Sequence, residues 1–261
     1  MKRLQGKVAI VTGSGRGIGR GIAYKFAEEG AKVVIATLER KEGQETEKEL
    51  MDIGTEALFV QTDVSEEKSI IAMIEQTVSR FGTIDILVNN AGITLFKNIL
   101  DCTLEDWDRV MNIDLRGAFL SSKYALPSMI EAGGGSIINI SSNHAAATIC
   151  DAEIYASAKG GLNALTRSLA LSAGKDHVRV NAICPGFTDT PHYRRWLDEQ
   201  GDPSLVEEEV LKLHALSTIC KPEDIGNLAV FLASDESAKL TGESIFLDGG
   251  LSKNLYHSDI C

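Results

Sequence analysis

Cysteine is sparse in this 261-residue sequence and follows no pattern. Cys102, Cys150, Cys184, Cys220 and Cys261 are odd in number and show neither CxxC nor zinc-site spacing, so a disulfide framework and a zinc module are not expected. They read as reduced thiols of a cytoplasmic protein. Long hydrophobic runs are missing as well. None approaches the roughly 18 residues needed to span a bilayer, and the opening MKRLQGKVAIVTG holds no signal-peptide core. Positive charge is also short: 26 Lys and Arg against 37 Asp and Glu leave a net charge of −11. Nucleic acid and anionic membrane both select a positive field, and neither is expected as a partner. The histidines (His144, His177, His192, His214, His257) are scattered without the paired spacing of metal ligands, so no metal is expected.

What the chain does have is a globular balance, 44% hydrophobic and 24% charged. Short Val- and Ile-rich runs recur at 7–12, 32–36, 57–62, 84–88, 136–140, 178–184 and 244–247. Segments of helical period separate most of them, at 17–29, 40–52, 66–80, 104–131 and 155–174. Continuous apolar strands alternating with helices predict a parallel sheet covered on both faces. Right-handed crossovers then give a doubly wound α/β fold of Rossmann type with about seven strands. No linker or repeat marks a boundary, so residues 1–261 read as a single domain. A polar excursion over 186–221 follows a strand end, where such a fold places a substrate lid (about 187–215), although a solvated flap would look the same. Asn181 and Asp248 stand at strand ends and suit loop anchoring.

Directly after the first strand comes Thr12-Gly13-Ser14-Gly15-Arg16-Gly17-Ile18-Gly19, followed by a helical segment. Glycines allow a tight turn and a close backbone approach to a pyrophosphate at a helix N-terminus. The spacing is not GxGxxG, and no GKS or GKT marks a nucleotide triphosphatase. A glycine turn alone is also compatible with a simple connection; its place between strand one and helix one favours a dinucleotide. Tyr155 and Lys159 are four apart, hence one turn apart on one helix face. A free phenol titrates near 10 and is a poor base at neutral pH; a neighbouring cation favours the phenolate. Such a pair alone is commonly a surface contact, as Ser142 alone is an ordinary strand-end serine.

The glycine turn resembles the TGxxxGxG element of the short-chain dehydrogenase/reductase family, and the resemblance runs along about 240 residues. Asp63-Val64 resembles the family's adenine contact, and Asn89-Asn90-Ala91-Gly92 its strand-four motif. Asn112, Ser142, Tyr155 and Lys159 resemble the catalytic four. Pro185-Gly186 with Thr188 and Thr190 resembles the segment closing over the nicotinamide. The resemblance implies that Tyr155 exchanges a proton with the substrate oxygen and Ser142 orients that oxygen. It implies that Lys159 supports Tyr155 and bonds the nicotinamide ribose, and that Asn112 holds a relay water. The cofactor carries the hydride chemistry.

NAD-preferring family members carry Asp at the position of Thr37, and Arg16 resembles the basic residue of NADP-preferring ones. With Arg40 adding charge, NADP is the preferred expectation over NAD; Glu39 argues the other way. The substrate pocket is expected from 92–98, 143–153 and 187–215, with Ser142, His144, Tyr155 and Phe187 against substrate. Apolar walls with few polar anchors suit a bulky secondary alcohol or ketone. Some resemblance to bacterial hydroxysteroid dehydrogenases, in the MKRL…GKVAIVT opening and the tail, points to a hydroxysteroid. The alternatives are a 3-oxoacyl thioester reductase, a sugar or polyol dehydrogenase, and a non-catalytic dinucleotide sensor. The family resemblance also implies a homotetramer, and the tail 251–261 is expected to reach a neighbouring subunit or to fray.

Overall fold

The structure, a computed structural model, describes residues 2–254. Its strands are β1 (Val8–Thr12), β2 (Lys32–Thr37), β3 (Ala57–Gln61), β4 (Ile86–Asn89), β5 (Gly135–Ile140), β6 (Val178–Pro185) and β7 (Ser244–Leu247). The helices are α1 (Gly17–Glu28), α2 (Arg40–Asp52), α3 (Glu67–Phe81), α4 (Leu104–Met111), α5 (Gly117–Glu131), α6 (Glu153–Ala173), α7 (Pro191–Asp198), α8 (Pro203–Lys212) and α9 (Pro222–Ala233). The strands pair in parallel in the order β3-β2-β1-β4-β5-β6-β7. None of the described helices is long and apolar enough to cross a membrane.

The pleat sorts side chains into two layers. Ala9 and Val11 of β1 join a cluster with Ile22 and Phe26 of α1 and Ile225 and Val230 of α9. Ile10 turns the other way, to Ile70 and Met73 of α3 and Met129 of α5. Each such large side chain contributes about 1.5–3 kcal/mol by burial. A polar stitch runs through the second layer. The Asn89 amide donates to Asn139 Oδ1 at 2.8 Å, and the Asn139 amide donates to Thr166 Oγ1 at 2.8 Å.

Strand order reverses between β1 and β4, and the crevice beyond the carboxyl ends of strands at such a point is where open α/β sheets take ligands. The expected helix over 104–131 is interrupted there. After α4 comes a wide turn, Asn112–Arg116, in which the Gly117 N–H donates to the Asn112 carbonyl five residues back. Its extra residue accompanies the inward rotation of Asp114, whose side chain has no exposure. The 186–221 excursion folds as α7 and α8, each opened by a proline and capped by Thr190 or Asp202. The pair has its own small core of Tyr193, Leu197 and Val210, flanked by Phe187 and Trp196. Asn181 and Asp248 do anchor loops: Asn181 bonds Leu240 and Glu243, and Asp248 accepts from the N–H groups of Gly250 and Ser252. Of the tail, Asn254 donates to the Leu213 carbonyl at the end of α8, and residues 255–261 lie outside the described residues.

Candidate active site

A groove of about 520 Å³ runs across the carboxyl ends of β1 to β4. Gly13, Arg16, Gly17 and Ile18 line it, as do Thr37, Asp63, Val64, Asn90, Ala91, Gly92 and Thr190. Gly13 and Gly17 have φ of +66° and +56°, a conformation that favours glycine. The N-terminus of α1 has no side-chain cap and no acidic residue in its first turn. Its free N–H groups and positive dipole end therefore fit a pyrophosphate. Two residues of the turn work behind it. Ser14 is fully buried and donates to the Val11 carbonyl, and a Cβ on Gly19 would lie 2.4 Å from the Gly13 carbonyl oxygen. Asn90 holds the turn in shape by donating to the carbonyls of Thr12 and Gly13.

At the β2 end of the groove, Thr37 closes β2 beside Glu39 and Glu42. Arg16 pairs with Glu42 at 3.2 Å, both partly exposed. Arg40 stands outside the groove lining and donates to Gln61. Asp63 accepts from the Ser65 N–H and hydroxyl in a local turn. Pro185 ends β6 and Gly186 follows it; neither these two nor Thr188 is among the residues lining the groove. Thr188 donates to the Gly186 carbonyl, and Thr190 caps α7. His192 and Arg195 of α7 line the same groove beside Thr190, although their segment, 187–215, was expected in the substrate pocket. Arg194 is clasped by Asp189 at 2.7 and 2.8 Å and by Glu207 at 2.8 Å.

Tyr155 lies in the first turn of α6, with its ring edge-on to His144 (centroids 5.5 Å apart) and to Phe96 (6.2 Å). Lys159 Nζ is 5.6 Å from the Tyr155 ring centroid. Ser142 follows the end of β5 in extended conformation. Its hydroxyl accepts from the His144 N–H at 3.2 Å and donates to Asn143 Oδ1 at 3.1 Å. Asn112 begins the wide turn after α4. Phe187 packs among Tyr193, Trp196 and His214 at the base of the α7–α8 pair. The structure thus groups Tyr155, Lys159, His144 and Phe96, and it assigns Phe187 to the core of α7 and α8.

Burial alone would lower the Lys159 ammonium, but Asp114, with Tyr155 and Cys184 adding to it, holds the group above its ordinary value. Burial pushes His144 below the ordinary imidazole range, and His192 falls the same way with help from Arg195 and Arg16. His144 Nδ1 is 2.9 Å from Thr148 Oγ1. Sequence reasoning missed Asp114, Glu42 and the groove residue Arg109. Asp114 sits in the same N-I-D-L-R stretch as Asn112, yet nothing in the spacing tells an inward aspartate from a solvated one.

A family model described as enoyl-(acyl carrier protein) reductase matches residues 13–252. An uncharacterized oxidoreductase of Thermotoga maritima is 42% identical over 98% of this chain and 100% of its own length. A 3-alpha-(or 20-beta)-hydroxysteroid dehydrogenase of Mycobacterium tuberculosis is 38% identical over 98% of this chain and 94% of its own. Two solved structures superpose with TM-scores of 0.91 at 33% identity, each covering 97% of this chain and 98% of its own. One is provisionally named a short-chain alcohol dehydrogenase of Sinorhizobium meliloti, the other a gluconate dehydrogenase of Agrobacterium tumefaciens.

Proposed function

This chain belongs to the short-chain dehydrogenase/reductase family of NAD(P)-dependent oxidoreductases, and from that premise we propose that it interconverts a bulky apolar secondary alcohol and its ketone. The observation that carries the reading is the convergence of Tyr155, His144, Phe96 and Lys159 beside a groove whose helix N-terminus is open to phosphate.

The nicotinamide dinucleotide, when bound, accepts or supplies the hydride. Gly13, Arg16, Gly17 and Ile18 hold its phosphates, with Arg195 across the groove. Gly92, Thr190 and Lys159 meet its nicotinamide half. Tyr155 Oη takes the proton from the alcohol during oxidation and returns it to the ketone oxygen during reduction. Ser142 releases Asn143 and donates to the same oxygen, which fixes its position. Lys159 favours the phenolate by its charge, and Asn112 keeps a carbonyl lone pair for a water that links the lysine to solvent. Phe96, Ile93, Leu95 and Ile149 give the substrate side its apolar wall, in keeping with a steroid-like ring system and with the mycobacterial relative. NADP is the dinucleotide we propose, on Thr37 and Arg16. The active form is a homotetramer of cytoplasmic subunits.

The test is initial rates at 340 nm, crossing NADH and NADPH with keto-steroids, 3-oxoacyl thioesters and keto-sugars. Keto-steroid turnover is expected, with Tyr155→Phe losing at least about a thousandfold in kcat while dinucleotide affinity stays within a few-fold. Turnover of thioesters or keto-sugars alone would overturn the substrate class. A parent protein that binds dinucleotide and turns over nothing would favour the sensor reading.

A further inference from the structure

The reaction proposed above engages the substrate through one oxygen, and His144 stands beside both side chains that meet it. Its backbone N–H donates to Ser142 Oγ at 3.2 Å, and its ring lies edge-on to Tyr155 with centroids 5.5 Å apart. The imidazole is held on two further sides. Nδ1 is 2.9 Å from Thr148 Oγ1, and Phe96 packs on the ring with centroids 5.6 Å apart. Nε2 has no hydrogen-bond partner among the described residues, and it is open rather than enclosed. A fixed ring with one open nitrogen is a preorganised polar contact.

Place and charge together limit what that nitrogen meets. An oxygen held by Tyr155 and Ser142 puts the reacting carbon beside them, so the group nearest His144 belongs to the next carbon of the substrate. Burial pushes His144 below the ordinary imidazole range, and the ring is neutral at pH 7. In a neutral ring Nε2 donates in one tautomer and accepts in the other. A hydroxyl answers either tautomer, and a methylene answers neither. A carboxylate calls for a cation, and the cations of the adjoining segments are engaged. Lys97 is held by Asp106 at 2.6 Å, Arg194 by Asp189 and Glu207, and buried Lys159 donates to the Ile140 carbonyl. His192 and Arg195 line the groove assigned to the dinucleotide.

We infer that His144 selects substrates with a hydroxyl on the carbon next to the reacting one: an α-hydroxy ketone in one direction, a vicinal diol in the other. This deepens the proposed function and rests on it, since the apolar body of the substrate stays and one polar neighbour is added. It also separates the substrate classes, because a 3-oxoacyl thioester carries a methylene, not a hydroxyl-bearing carbon, between its two carbonyls.

The experiment uses three naphthyl ketones that differ only beside the carbonyl: the methyl ketone, the hydroxymethyl ketone and the glyoxylate. The parent is expected to reduce the hydroxymethyl ketone with kcat/KM at least about tenfold above that of the methyl ketone, and the glyoxylate least well. His144→Phe keeps a ring against Phe96 and Tyr155 but carries no nitrogen, and in it the hydroxymethyl-to-methyl ratio is expected to fall at least about fivefold. Comparing the ratio between proteins cancels the intrinsic reactivity of the ketones. A ratio unchanged in His144→Phe, or a parent that prefers the glyoxylate, would overturn the inference. If His144→Phe does not fold, Thr148→Val decides, since releasing Nδ1 should lower the same ratio and an unchanged ratio counts against the assignment. Dissociation constants of the three ketones from the complex with oxidised dinucleotide test the order without turnover. A protein that binds the hydroxymethyl ketone preferentially and turns over nothing sinks the proposed function alone. Turnover of all three with equal affinity sinks the inference alone, and failure to bind any of them counts against both.

Discussion

Arg16 and Glu42 face each other at the β2 end of the groove, and their pairing decides how much positive charge a ligand meets there. With side chains 53% and 32% exposed, the pair holds together by about 1 kcal/mol or less. A 2′-phosphate competes for the same guanidinium and is repelled by the same carboxylate, whereas a 2′-hydroxyl is not. Glu42→Gln is therefore expected to raise the NADPH-to-NADH ratio of kcat/KM by about fivefold, corresponding to about 1 kcal/mol at partly screened distances. Steady-state kinetics with both dinucleotides checks this, and an unchanged ratio would place Glu42 outside the recognition of the ribose. At this scale the sequence was legible where chemistry and spacing coincide, as with Tyr155 and Lys159. It was silent where a side chain's direction decides its role. Glu42 and Asp114 read as ordinary acids on polar helices, and only burial and approach distance separate a groove acid from a solvated one. The same silence covers Arg40, which the chain order brings next to Glu39 but whose guanidinium turns to Gln61.

Strands were the easiest elements to read, because a strand buried on both faces must be apolar along its whole length. The helix over 104–131 was harder. A wide turn keeps the helical period within one residue, so no punctuation marks it; its signal is the inward aspartate, which has no pattern of its own. The α7–α8 pair was visible only as an excursion in composition. Its independence comes from packing, since Tyr193, Leu197 and Val210 bury one another in a cluster separate from the sheet layers. Leu197 is 3% exposed, and truncating a leucine at such a site costs about 2–5 kcal/mol. That is more than a two-helix flap is expected to spare. Leu197→Ala should therefore speed amide exchange across α7 and α8 while leaving β4 and β5 protected, because the sheet core loses no contact. If α7 and α8 enclose substrate as the proposed function has it, the variant should also raise KM for the ketone more than it lowers kcat, because Tyr155 stands on α6. Exchange that rises equally in β4 and β5 would mean that the α7–α8 pair and the sheet unfold as one unit.

For the whole molecule, the sheet order places the groove at the switch between β1 and β4, while the outer surfaces of α4, α5 and α6 lie elsewhere and carry apolar side chains exposed among the described residues. Leu104 and Leu171 are 77% and 87% exposed, and Trp107 and Phe119 are 42% and 49% exposed. Single exposed leucines are ordinary, but a tryptophan, a phenylalanine and two leucines on adjoining helices suit a surface covered by another subunit. The net charge of −11 would disperse copies of the chain unless apolar contact outweighed it. A homotetramer joined through these helices would cover that surface, and sedimentation equilibrium should then give a mass about four times the 28.2 kDa of the chain. Leu171→Asp adds a charge that the interface would have to desolvate, which costs several kcal/mol per ion, repeated at every symmetric contact. The variant should sediment as smaller species at micromolar concentration while its far-UV spectrum and dinucleotide binding persist, since Leu171 touches neither the sheet layers nor the groove. A parent that sediments as a monomer, or a Leu171→Asp protein that stays tetrameric, would place the subunit contact on another face.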